Sequence, residues 1–91
     1  MKNIPSATTF STTDTAFAAF LLISNVKFIK FKVDSFYSPI ELLFHENSSS
    51  IEELEFQWKS GTAQGCIPAW FKAYRSFIHE IEEIKSRGEN R

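Results

Sequence analysis

A chain of 91 residues is enough for one domain, and a formal net charge of −1 excludes a strong field drawing it onto nucleic acid or anionic membrane. One cysteine excludes an internal disulfide, so the fold must rest on its core. Ten phenylalanines, two tryptophans and two tyrosines supply that core, because aromatic side chains bury large areas even in a small domain.

Residues 1–10 are polar, contain Pro5 and show no period. They predict a flexible N-terminal arm ahead of a single α+β domain over residues 11–87. Ser11-Thr12-Thr13-Asp14 resembles a capping box, with Ser11 as N-cap of a helix over Asp14–Ser24. Its alanines and leucines favour helix over strand, and it is apolar nearly all round, which predicts burial on several sides. Asn25 suits the left-handed turn that ends it.

Residues 26–33 (VKFIKFKV) alternate apolar and basic residues, as a half-buried strand does. Ile29, Phe31 and Val33 share one face. Val26 and Phe28 fall with Lys30 and Lys32 on the other, so the alternation breaks near Phe28-Ile29 and a bulge is expected there. Residues 34–39 read as a turn, and Ile40–His45 as a second strand that presents Ile40, Leu42 and Phe44 together. The pair predicts a two-stranded antiparallel hairpin, with no third strand evident.

Ser50 and Glu53 stand in capping-box positions before a helix over Ile51–Ser60, which Gly61 stops. After a loop, Pro68 suits the first turn of a last helix over Ala69–Arg87. Its apolar stripe is Trp70, Tyr74, Phe77, Ile81 and Ile84. Gly88 is expected to end it, leaving 88–91 as a frayed tail. The order is α-β-β-α-α, the hairpin packed on two or three helices.

This succession resembles a family of small phage and bacterial domains of uncharacterised function. The resemblance rests on the Ala/Leu-rich helix TAFAAFLLIS closed at Asn25 and on the hairpin ending Glu41-Leu42-Leu43-Phe44-His45. It continues through the acidic helix with Trp58 and Gly61 and a last helix carrying Phe71 and Arg75. It covers residues ~12–85 through core-type residues. It implies the same element order and a viral or mobile-element origin, and it carries no activity with it.

Candidate chemistry is sparse. His79-Glu80 begins like a zincin motif, but Glu83 stands where the second histidine must be. Cys66 lies in an uncharged loop, which predicts an inert, partly buried thiol rather than a nucleophile. Gly61 and Gly65 form no phosphate cradle. No enzyme activity, metal or cofactor is expected. The longest apolar run, residues 16–23, falls far short of the ~20 residues that span a bilayer. Asp14 stands where a signal peptide is positive, so a cytoplasmic protein without a membrane span is expected.

Two surfaces remain. Lys27, Lys30 and Lys32, with Phe28 on the same face and Phe36 and Tyr37 at the hairpin tip, interleave charge and rings as single-stranded nucleic-acid binders do, and three lysines predict weak, salt-sensitive binding. Alternatively those lysines only solvate a strand and guard its edge. A hairpin alone is a poor sheet, which suggests a homodimer through its edge. The leading expectation is a non-catalytic interaction domain for a protein partner, as a phage or mobile-element accessory or inhibitor.

Overall fold

The computed structural model describes residues 9–34, 39–46 and 51–89. The chain runs β1 (Thr9–Thr12), α1 (Thr15–Ile23), β2 (Phe28–Lys32), β3 (Glu41–His45), α2 (Ile51–Ser60) and α3 (Ile67–Glu89). The fold class is α+β, as the residue patterns suggested. The sheet, however, is three-stranded, with β3 in the middle and β1 and β2 antiparallel on either side.

The third strand corrects the reading of the N-terminal residues. Thr9 and Phe10 are strand, and Ser11 pairs with Leu43 instead of capping a helix. The cap is Asp14, whose backbone is extended and whose Oδ1 accepts the Phe17 N–H at 3.1 Å. Thr12 Oγ1 in turn accepts the Asp14 N–H at 3.0 Å, holding the strand-to-helix corner. Four residues with one large apolar side chain, Phe10, cannot display an alternation. Only pairing with β3 identifies them.

Helix ends follow local chemistry. Asn25 takes φ 72°, Val26 N–H reaches back to Leu21 C=O at 3.0 Å, and Asn25 N–H to Leu22 C=O at 3.1 Å. Gly61 repeats the device after α2 at φ 80°, with Thr62 N–H on Gln57 C=O at 2.9 Å. These are Schellman closures, which satisfy carbonyls that the helix leaves unpaired. Helix α3 departs from expectation at both ends: it begins at Ile67 and passes through Gly88 to Glu89. Pro68 fits its second position because the first helical N–H groups need no partner.

The core lies between one face of the sheet and the helices. Helix α1 is buried from Phe17 through Leu21, and its small Ala18 and Ala19 leave room for α3 beside it. Trp70 Nε1–H on α3 donates to Ala16 C=O at 3.1 Å, fixing that approach. From the sheet come Leu42 and Phe44, both fully buried, with Phe10, Phe28 and Phe31 packed beside them. Phe77 meets Phe28, Phe31 and Phe44 with ring centroids 5.1, 6.0 and 6.4 Å away. Such tilted and edge-on pairs add about 0.5–1.5 kcal/mol each beyond the area they bury.

The bulge sits at the expected place, and it turns Phe28 over. Phe28 pairs with Phe44 and Phe31 with Leu42, while Lys30 pairs with Leu43. Ile29 is the extra residue between two regular registers, so Phe28 and Phe31 both face the core. Phe28 therefore does not share the lysine face, and Val26 is buried as well. An inserted residue resets the period of two, which a strict alternation cannot represent.

Candidate functional site

The lysine surface is partly assembled. Lys30 and Lys32 are exposed, two residues apart on β2, opposite Leu43 and Glu41 of β3. They stand on the sheet face away from the Phe28–Phe77 core. Lys27 is exposed just before the strand, where its carbonyl accepts the His45 N–H at 2.9 Å. Acids accompany the lysines: Asp34 Oδ1 lies 4.0 Å from Lys32 Nζ, and Glu41 faces Lys32 across the ladder. Phe28 has gone to the core, and Phe36 and Tyr37 lie outside the described residues.

The histidine and cysteine candidates are separate. His79 Nε2 is 4.0 Å from Glu83 one turn along α3, both solvent-facing, and Arg87 reaches the same carboxylate at 3.6 Å. His45 is half-buried at the end of β3. Cys66 is exposed, contrary to the expectation of partial burial, because its loop passes over the surface just before α3. Among the described residues no three His, Cys, Asp or Glu side chains come together as a metal site would need. No described helix is long and apolar enough to cross a membrane.

The residue patterns did not anticipate the opening where α1, α2 and α3 converge. Phe20 and Ile23 come from α1, Trp58 from α2, and Ile67 and Trp70 from the first turns of α3, around a cavity of about 170 Å³. The loop from Ala63 through Cys66 closes one side. Both tryptophans of the chain line it. Trp58 stacks on Phe20 at 5.5 Å, and the Trp70 ring lies nearly parallel to Tyr74 at 5.1 Å, so the walls are held by their own packing. The Trp70 N–H is already committed to Ala16, leaving an apolar wall toward the cavity.

This opening continues onto an exposed apolar shoulder. Ile67 is 76% exposed and Phe71, one turn on, 50% exposed. The Arg75 guanidinium sits 5.6 Å from the Phe71 ring centroid, extending the ridge by another turn. Gly65 sets the mouth of the cavity, since a Cβ there would meet Ile23 Cδ1 at 2.9 Å. The available signal in the sequence was a small-residue loop, Gly61 to Gly65, set between two tryptophan-bearing helices. Read by periodicity alone, Trp58 and Trp70 were only core. Comparison with protein-family models, with curated proteins and with solved structures finds no match for this chain.

Proposed function

We propose that this domain is a non-catalytic interaction module that docks a protein partner at the opening between α1, α2 and the start of α3. The observation that carries this reading is the exposure of Ile67 and Phe71 beside a preformed cavity walled by Trp58 and Trp70. Water-facing apolar side chains next to an apolar hollow favour a partner that covers the first and fills the second. At about 170 Å³ the cavity is below the roughly 300–1,000 Å³ of small-molecule sites, and it suits one large anchoring side chain. Occupying that partner would give the domain an accessory or inhibitor role.

The nucleic-acid reading has less to support it. Its lysines stand beside Asp34 and Glu41, and Phe28 is not available for base stacking.

The tryptophans make the test direct. N-acetyl-leucinamide and N-acetyl-phenylalaninamide, titrated into the full chain, should shift tryptophan emission saturably at millimolar concentration. Gly65→Leu, which fills the mouth at a residue of ordinary backbone geometry, should abolish the shift while the fold persists. Unchanged emission with both amides, or equal shifts in wild type and variant, would overturn the reading.

A further inference from the structure

We infer that the partner presents an acidic, apolar segment, its anchor in the cavity and its carboxylates against the outer side of α3. The inference rests on the docking role proposed above and adds the partner's chemistry. It comes from the distribution of charge around the opening. From Lys59 to His79 the charged side chains are Lys59, Lys72 and Arg75, with no carboxylate until Glu80. Lys59 is already paired with Glu55 at 3.3 Å and His79 stands 4.0 Å from Glu83, so the charges left to a partner are Lys72 and Arg75 of α3.

Helical spacing arranges them beside the apolar shoulder. With about 100° between successive residues, Tyr74, Ile67, Ile78 and Phe71 follow one another around α3 from the core side outward. Arg75, His79 and Lys72 come next, toward water. All three side chains are exposed. Tyr74, Arg75, Ile78, His79 and the carboxylate-bearing Glu82 line a second hollow of about 260 Å³. The Trp70–Tyr74 ring pair joins the two hollows along the helix. A segment lying along this line meets apolar wall on one side and the charges of Lys72 and Arg75 on the other. Acidic residues flanking an apolar anchor match both, and a basic segment would be repelled at Lys72 and Arg75.

The probe is a display library of short random peptides selected on the full chain. Selected peptides should be enriched in Asp and Glu around a Leu, Phe or Trp, and should bind less tightly as salt is raised. Lys72→Glu/Arg75→Glu, at two exposed positions, should melt like wild type and weaken those peptides by about tenfold. Ile67→Asp should abolish their binding. Apolar peptides without acidic bias, lost in Ile67→Asp but indifferent to charge reversal, would overturn this inference and leave the docking face standing. Peptides indifferent to Ile67→Asp, or no enrichment at all, would overturn both.

Discussion

The ring of Phe28 lies 5.1 Å from that of Phe77, although a strict alternation along β2 puts Phe28 among the lysines. Ile29 makes the difference. As the extra residue of a bulge it lets Phe28 and Phe31 both face inward, opposite Phe44 and Leu42, while Lys30 and Lys32 stay outward. β2 thereby gains a second aromatic contact with α3, beside that of Phe31. The same turn removes the ring that would have stacked a base.

Phe77 is the hub of that arrangement and is nearly fully buried. Phe77→Ala should therefore lower unfolding free energy by about 3–5 kcal/mol, measured by urea denaturation. Phe56, the same residue type at 69% exposure, should tolerate the change to Ala within about 0.5 kcal/mol. Similar losses at both sites would mean that the core is not where these contacts put it.

Deleting Ile29 gives a more demanding test. The remaining Lys27-Phe28-Lys30-Phe31-Lys32 alternates strictly in the register that its flanks already hold. The deletion should fold, with a loss below about 2 kcal/mol, because it removes one half-buried side chain and a ladder irregularity together. An unfolded product, or a hydrogen-exchange pattern lacking the β2–β3 ladder, would show that the bulge is required.

The start of α1 distinguishes two caps by measurement. Asp14→Ala removes the acceptor of the Phe17 N–H and should cost about 1 kcal/mol. Ser11→Ala, on an exposed strand position, should change stability by less than about 0.5 kcal/mol. The reverse order of effects would restore the capping box that the residue pattern suggests.

Elements were legible where local chemistry and burial agree. Asn25 and Gly61 announced their helix ends because only a left-handed backbone closes those motifs, and both adopt it. Leu42 and Phe44 declared the core face of β3 by alternation alone. β1 was not legible, since Thr9–Thr12 owes its strand to β3, whose partners lie 30 (Thr12 to Leu42) to 36 (Thr9 to His45) residues further along the chain. The cavity between the helices was invisible for a related reason. Trp58 and Trp70 sit on core stripes, and only the Gly65 loop passing Ile23 leaves space between them. The lysines were placed correctly as outward residues, whereas their aromatic neighbour was not.

A last prediction concerns self-association. Among the described residues no strand pairs with the outer edge of β2, so a second copy could in principle add there. A two-fold axis would set β2 antiparallel to its mate, and residues symmetric about the axis would then face each other. Centred on Phe31, the pairing puts Lys30 opposite the other copy's Lys32. Centred on Lys30, it puts that lysine opposite itself. Like charges directly opposed destabilise a ladder, which is how exposed lysines guard an edge. Sedimentation at low salt should accordingly give a monomer, and Lys30→Thr/Lys32→Thr, which keeps strand propensity but removes the repulsion, should raise self-association. A wild-type dimer that protects the β2 amides from exchange would show that the edge pairs despite its charge.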